Sequence, residues 1–154
     1  MAKTLPRAEA AKLADFLCFS IYSANLAYSR VYKPVLDELG LTYPQYITLI
    51  ALWEEDNQTV KALSEKLFLE PSTMTPMLKR LEAQGYLART RDTEDERNVR
   101  ISLTTAGRRL REKGFGFADL TMKASGLTAK EFPAFQRAVS NLRDNLVKAA
   151  KGEF

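Results

Sequence analysis

The chain has 154 residues, 45% hydrophobic and 27% charged, a composition typical of one folded domain with or without short extensions. It contains no histidine and a single cysteine, Cys18. This excludes Ser-His-Asp or Cys-His catalysis, an intrachain disulfide and a cysteine-rich zinc site. The formal net charge of +4 permits binding to a polyanion without establishing it.

No apolar run approaches the ~18 residues needed to span a membrane. The polar, alanine-rich start, residues 1–15, lacks the apolar core of a signal peptide. We therefore expect a cytoplasmic protein that binds no membrane. No pattern indicates a metal ion or an organic cofactor.

The first part of the chain, residues 1–43, is predicted to be helical. Pro34 is expected to end or interrupt a long helix over residues 9–31. A short helical piece, Val35 to Leu39, follows and stops at Gly40. The long helix is predicted because apolar side chains recur every three or four residues: Leu13, Leu17, Ile21, Ala24, Tyr28 and Val31.

Residues 44–107 carry the pattern of a helix-turn-helix followed by a hairpin. Pro44 opens a helix that ends near residues 56–57. Two short apolar stripes separated by a break at residues 70–72 then predict two helices joined by a tight turn. The first stripe comprises Val60, Leu63, Leu67 and Leu69, and the second comprises Met74, Met77, Leu78 and Leu81, with Gly85 closing the second helix.

A β-hairpin is predicted directly after the two short helices. Val99, Ile101 and Leu103 alternate with polar residues, which is the period of a strand, and residues 87–91 can form its partner. The charged loop between them, residues 92–97, has no apolar anchor and is predicted to be a solvated tip. A hairpin in this position is typical of the wing of a winged helix-turn-helix.

Residues 108–154 are predicted to form C-terminal helices. One helical segment begins after Thr104 and runs to about residue 124, Gly126 breaks it, and a capping-box pattern at Thr128–Glu131 starts the last helix. That helix has an apolar stripe: Phe132, Phe135, Val139, Leu142 and Leu146. This stripe could pack on the chain's own core. However, the terminal helices together carry more apolar surface than a small winged-helix core needs, so we expect a homodimer interface.

The expected fold is therefore mainly α with a small β-hairpin, a winged helix-turn-helix with dimerisation helices at both ends. Within it, the helix after Pro71 is the candidate DNA recognition helix. Small and hydroxyl side chains let a helix N-terminus approach DNA, and two cations follow one turn later. The candidate residues are Ser72, Thr73, Thr75, Pro76, Lys79 and Arg80.

In the hairpin, Arg97 is expected to enter an A·T-rich, narrow minor groove, with Asp95 holding its guanidinium. Three other arginines, Arg89, Arg91 and Arg100, are weaker candidates for phosphate contact. The alternative for any one of these residues is structural: Ser72 as a helix N-cap, the charges as a solvated face.

The order of these motifs resembles the MarR family of winged-helix regulators. Residues 95–107, DERNVRISLTTAG, resemble that family's wing and the start of its next helix, and residues 78–82 with Gly85 resemble the end of its recognition helix. The resemblance covers nearly the whole chain. It implies a homodimer whose recognition helices enter the major grooves of a palindromic A·T-rich double-stranded operator.

A closer resemblance is to the OhrR subgroup, repressors that sense organic hydroperoxides through a reactive cysteine near the N-terminus. It rests on residues 17–19, Tyr22, residues 32–34, 41–46 and 52–54, and continues over residues 69–80. It implies that Cys18 is the peroxidatic thiol, that Tyr32 and Tyr43 hydrogen-bond its sulfur, and that Tyr22 lies close to it.

The sequence spacing between Cys18 and the tyrosines indicates which of them can contact its sulfur within one chain. Tyr22 is one turn beyond Cys18 on the same helix face. If the helix continues to Tyr32, that residue lies roughly 21 Å from Cys18 at 1.5 Å per residue, so their contact must cross between subunits. With no second cysteine in residues 123–127, the chain resembles the one-cysteine type, whose expected reaction partner is a low-molecular-weight thiol.

One departure from the subgroup lies in the turn into the recognition helix. Glu70 and Pro71 stand where its better-known members have an aspartate followed by a serine, so base contacts carried over at this turn are in doubt.

Two other functions stay open. A MarR-type regulator could bind a small aromatic acid between its dimerisation and DNA-binding regions, with Cys18 as a buried structural residue. A thiol peroxidase is disfavoured, because no histidine, arginine or second cysteine stands near Cys18 in the sequence to sustain turnover.

Overall fold

The computed structural model of the protein describes residues 12–114 and 116–153. In chain order its elements are α1 (Leu17–Leu39), α2 (Tyr43–Glu54), β1 (Gln58–Thr59), α3 (Val60–Leu67), α4 (Pro71–Ala83), β2 (Leu87–Arg91), β3 (Val99–Leu103), α5 (Thr105–Gly114), α6 (Gly116–Ser125) and α7 (Glu131–Ala150). The described residues form two compact units, residues 12–114 and 116–153. None of the helices in the described ranges has the length and apolarity to cross a membrane.

Helix α1 runs unbroken through Pro34, so the predicted end at this proline was wrong. Proline removes one backbone hydrogen bond, but the helix continues far enough beyond it to bury Leu36, and that burial offsets the loss. Gly40, at φ 65°, then ends the helix in the left-handed conformation. The predicted start was also too early: residues 13–15 form a 3-10 turn, and residues 9–11 lie outside the described residues.

The core of the first unit lies between three helices and the sheet. Its largest fully buried apolar side chains come from α2, α3, α4 and two strands: Leu49, Leu52, Leu63, Met74, Leu78, Leu81, Leu87 and Ile101. Of the two predicted apolar stripes, Leu63, Met74, Met77, Leu78 and Leu81 are buried, whereas Val60, Leu67 and Leu69 are half-buried. Leu69 follows α3 instead of belonging to it. Pro71 begins α4, so the break between the two helices covers residues 68–70, two residues earlier than the predicted break at residues 70–72.

The sheet has three antiparallel strands in the order β1-β3-β2. The predicted hairpin is confirmed, with Leu87 opposite Leu103 and Arg91 opposite Val99. The additional strand, β1, has two residues and pairs Gln58 with Ile101 and Thr59 with Arg100. It makes β3 the central strand, so the wing is joined on both sides to the helix-turn-helix.

In the second unit, Gly126 at φ 70° follows α6, as predicted. Thr128 and Glu131 form the expected reciprocal hydrogen bonds: the Glu131 backbone N–H donates to Thr128 Oγ1 at 3.3 Å, and the Thr128 backbone N–H donates to Glu131 Oε2 at 2.9 Å. The helical segment predicted up to residue 124 consists of α5 and α6, on either side of residue 115.

Candidate nucleic-acid interface and cysteine site

Helix α4 separates its apolar and polar side chains onto two faces. Four side chains face the core: Met74, Met77, Leu78 and Leu81. All six predicted recognition residues are exposed: Ser72, Thr73, Thr75, Pro76, Lys79 and Arg80. Ser72 is not the N-cap, because the helix begins one residue earlier, at Pro71. The start of α4 therefore presents hydroxyls to solvent, with two cations one turn on. Its backbone N–H groups at Thr73 and Met74 donate to the Glu70 carbonyl at 2.9 and 3.0 Å.

The loop of the wing, residues 92–98, is held by its own backbone. The Asp92 N–H donates to the Asn98 carbonyl at 2.9 Å, and the Asn98 N–H donates to the Asp95 carbonyl at 2.9 Å. Asp95 Oδ1 accepts the backbone N–H of Arg97 at 3.0 Å. The prediction that Asp95 holds the Arg97 guanidinium was therefore wrong: the carboxylate fixes the turn, and the exposed Arg97 side chain forms no ion pair with it.

Asp92 also differs from the predicted solvated tip, because it is only 6% exposed. Its Oδ2 lies 2.6 Å from Nε of Arg100, and its Oδ1 accepts the Glu94 backbone N–H at 2.8 Å. The Glu94 N–H and the Arg100 guanidinium lower the pKa of Asp92. The pair joins the first residue of the wing loop to β3, and its two members are eight positions apart in sequence, a distance at which no local periodicity reveals their contact.

Arg100 makes a second contact on the opposite side of β3. Its Nη1 donates to the Asn57 carbonyl at 2.9 Å. Asn57 has φ 58°, a left-handed conformation that asparagine tolerates, and its side-chain oxygen accepts the Ser102 hydroxyl at 3.3 Å. Of the weaker phosphate candidates, Arg100 is thus used inside the wing, Arg89 lies beside Glu82, and Arg91 is exposed.

The turn after α2 is fixed by the carboxylate of Asp56. Its Oδ1 accepts the backbone N–H groups of Leu103 and Asn57, each at 2.8 Å, and its Oδ2 pairs with Arg108. Partial burial opposes ionisation of this carboxyl, but the two backbone N–H groups and the Arg108 guanidinium outweigh it and lower the pKa of Asp56. The end of α2 is therefore tied to both β3 and α5.

Tyr32 and Tyr43, predicted to share a site, are brought together at the junction of α1 and α2. Their rings stack with centroids 5.1 Å apart, and Tyr28 also stacks with Tyr32, at 5.8 Å. Burial, then the neighbouring phenols, raises the pKa of Tyr32 to about 12, and burial raises the pKa of Tyr43. Both phenols are therefore protonated near neutral pH and can donate a hydrogen bond. Tyr28 had been assigned only to an apolar stripe.

Cys18 lies at the opposite end of the same helix from Tyr32. It is exposed in the first turn of α1, and Tyr22, one turn further on, is exposed as well. Because α1 is continuous from Leu17 to Leu39, the roughly 21 Å between Cys18 and Tyr32 follows from the helix rise. One chain thus brings the two tyrosines together but leaves them out of reach of its own thiol.

Helices α3 and α4 pack into the core and leave the polar face of α4 exposed. The β2–β3 hairpin follows directly and carries Arg97 in its loop. This arrangement defines a winged-helix protein. Residues 30–113 match the family model described as transcriptional regulator SarA/Rot. The chain is 42% identical over 135 residues to the organic hydroperoxide resistance transcriptional regulator of Bacillus subtilis, covering 88% of this chain and 92% of that protein.

Solved structures show the same fold. The chain resembles reduced AbfR bound to DNA with a TM-score of 0.76 and 34% identity, over 90% of this chain and 94% of AbfR; AbfR is a Staphylococcus epidermidis protein. It resembles Streptomyces coelicolor PcaV in complex with its natural ligand with a TM-score of 0.80 and 27% identity, over 88% and 96%. The chain belongs to the MarR/SarA family of winged-helix transcriptional regulators, which are not enzymes.

Proposed function

We propose that this regulator is a homodimeric repressor that binds a palindromic A·T-rich operator and releases it when an organic hydroperoxide oxidises Cys18. The observation that carries the proposal is the separation within α1. A stacked, protonated Tyr32–Tyr43 pair lies at one end and an exposed thiol at the other. A second chain would supply the tyrosines that Cys18 lacks.

DNA binding is supported by the two exposed elements of the first unit. The N-terminus of α4 offers the exposed hydroxyls of Ser72, Thr73 and Thr75, which suit phosphates and base edges in a major groove. Arg97 extends from a loop held by hydrogen bonds and suits a narrow minor groove. AbfR, which shares the fold, has been solved bound to DNA.

Dimerisation is supported by the apolar side chains that each unit leaves exposed. In α1 these include Leu17, Ile21 and Leu26, and in α7 they are Phe135, Val139 and Leu146, with Leu17 61% and Phe135 55% exposed. A continuous apolar stripe on a helix is rarely left to water, and a second copy of the chain would cover it. The relatives are bacterial and the proposed ligand is chromosomal DNA, so the proposal places the protein in the cytoplasm.

The sensing chemistry requires only the thiolate and the peroxide. The sulfur attacks the terminal oxygen of ROOH, an S–O bond forms as the O–O bond breaks, and the alkoxide takes a proton and leaves as ROH. Cys18 is then a sulfenic acid. A low-molecular-weight thiol condenses with it to give a mixed disulfide and water. Phenol donors from the partner's Tyr32 and Tyr43 would stabilise the thiolate before attack.

The proposal is tested by operator binding before and after treatment with cumene hydroperoxide and a small thiol. We expect the wild type to lose affinity on treatment, and Cys18→Ser, which lacks the nucleophile, to retain it. Fluorescence anisotropy with a labelled palindromic duplex measures both. Equal release by both proteins would contradict sensing by Cys18 and favour a regulator of another ligand. Because Glu70 and Pro71 differ from the subgroup, the duplex is best selected from a random library.

A further inference from the structure

Arg100 forms a connection across the whole sheet of the first unit. It lies on the central strand β3, between Thr59 of β1 and Thr90 of β2. Its guanidinium reaches past β2 to Asp92 and past β1 to Asn57, with N···O distances of 2.6 and 2.9 Å. One side chain therefore joins the root of the wing loop to the turn that follows α2.

The contacts of Asp92 show that this connection is specific. Its carboxylate is nearly buried, accepts from Arg100 through one oxygen and from the Glu94 backbone N–H through the other, at 2.6 and 2.8 Å. A buried carboxylate that lost its arginine would be left uncompensated, so the pair holds the loop in one orientation. The turn at Asn57 is itself fixed by Asp56 and Ser102.

We propose that Asp92 and Arg100 are positioning residues, which set the direction of the wing so that Arg97 reaches DNA while Arg100 itself contacts no phosphate. The inference rests on the proposed DNA binding through α4 and the wing. It assigns an operator-binding role to two side chains whose charged groups are bound to each other within the sheet. It also removes Arg100 from the set of candidate phosphate contacts.

The direction in which Asp92→Asn changes operator affinity distinguishes a positioning role of Asp92 from a purely electrostatic one. Removing a negative charge near DNA strengthens binding if charge alone matters. If Asp92 instead orients the wing, its replacement weakens operator binding. We expect Asp92→Asn to weaken operator binding roughly tenfold, comparable to the loss of one base contact. Tighter or unchanged binding by a folded Asp92→Asn protein would overturn the proposal.

Salt dependence tests the role of Arg100. Each lost phosphate contact lowers the slope of log K against log salt by about 0.9. We expect Arg100→Gln to weaken operator binding at every salt concentration with an unchanged slope. Arg91→Gln, at an exposed arginine of the same hairpin, is the matched control for a loss of one positive charge. A lower slope for Arg100→Gln would show a phosphate contact and overturn the proposal.

Two further variants distinguish loss of the Asp92–Arg100 interaction from general destabilisation of the first unit. Arg100→Lys retains the charge but not the planar fork that reaches Asp92 and Asn57 together, so we expect it to bind as weakly as Arg100→Gln. The Asp92→Asn/Arg100→Gln double variant is expected to be no weaker than either single variant, because both remove one interaction. If Arg100→Lys bound the operator with full affinity, or if the losses in the double variant were additive, the proposed joint role of Asp92 and Arg100 would be contradicted.

The failure of this inference and that of the proposed function are distinguishable. A wild-type chain that binds no selected duplex overturns both. A wild type that binds, with Arg100→Gln and Asp92→Asn binding equally well, overturns only the positioning role. Thermal unfolding of each variant shows whether the first unit is intact.

Discussion

At the residue scale, the two phenols Tyr32 and Tyr43 combine a role in packing with a proposed role as donors. Stacking between α1 and α2 holds their rings nearly parallel, with an interplanar angle of 16°. Because burial raises both pKa values, neither phenol is ionised at neutral pH. A partner thiolate would thus meet two neutral O–H groups, which favour the charged sulfur without repelling it.

The raised pKa of Tyr32 predicts a loss of stability at alkaline pH. The folded chain holds this phenolic proton up to a pKa of about 12, whereas the pKa of an ordinary tyrosine is 10.0. Between these values the folded state binds more protons than the unfolded state, so the free energy of unfolding falls as the pH rises. The contribution is fully present below pH 10.

Replacing Tyr32 by phenylalanine removes this titration while keeping the ring. Between pH 10 and 12 we expect Tyr32→Phe to lose less stability than the wild type, as measured by urea unfolding at a series of pH values. Parallel stability curves for the two proteins over that range would contradict the prediction.

At the element scale, Gly107 allows α5 to begin directly against the wing. A Cβ at this position would lie 2.0 Å from the Tyr86 carbonyl oxygen and 3.1 Å from Cδ2 of Leu103. The same carbonyl accepts the Thr104 backbone N–H at 3.1 Å, so it cannot move aside without losing that bond. The glycine is required by close approach and not by its backbone angles.

Gly107→Ala is therefore expected to lower the free energy of unfolding by about 2 to 3 kcal/mol, the upper part of the range for overpacking. Gly116→Ala is the matched control, because a Cβ there meets nothing within 4 Å. We expect the control to change stability by less than about 1 kcal/mol. Chemical denaturation measures both, and equal effects would show that the contact with Tyr86 relaxes at little cost.

Sequence patterns predicted those elements whose own residues carry a period. The alternation at Val99, Ile101 and Leu103 predicted β3, and the stripe from Met74 to Leu81 predicted α4. Strand β1 has two residues, too few to show any alternation, and exists because β3 pairs with it. The predicted helix end at Pro34 was wrong because it rested on the local tendency of proline to end a helix. The burial of Leu36 depends on tertiary packing, which the local sequence does not show.

The candidate site was predictable to a similar degree. The exposed positions of α4 follow from the helical period, and the partnership of Tyr32 and Tyr43 came from resemblance to a known subgroup. The Asp92–Arg100–Asn57 contacts were missed, because they join three segments that only the sheet brings together. The charge-rich loop at residues 92–97 gave no sign that its first carboxylate is buried.

At the scale of the whole molecule, a mixed dimer tests whether the sensing site is shared between chains. One chain would carry Cys18→Ser and the other Tyr32→Phe. If the thiol of one chain uses the tyrosines of its partner, the mixed dimer contains one intact site and one in which both residues are replaced. If each chain serves its own thiol, neither site is intact.

Rapid oxidation of the remaining Cys18 thiol in the mixed dimer is therefore expected. The rate, followed by thiol labelling after cumene hydroperoxide, should match that of the wild type, whereas a Tyr32→Phe homodimer should oxidise more slowly. Slow oxidation in the mixed dimer, equal to that of the homodimer, would place the tyrosines and the thiol in one chain.

Helix α2 has Tyr43 as its first residue and leads at its other end to Asp56 and Asn57, which hold β3 and Arg100. Its twelve residues span roughly 18 Å, and a hydrogen-bonded helix of that length barely compresses. It therefore moves as a rigid element, so that a shift along the helix axis at one end is accompanied by a shift at the other. If the proposed oxidation of Cys18 displaces the Tyr43 ring, α2 is the element that would carry this displacement to the root of the wing.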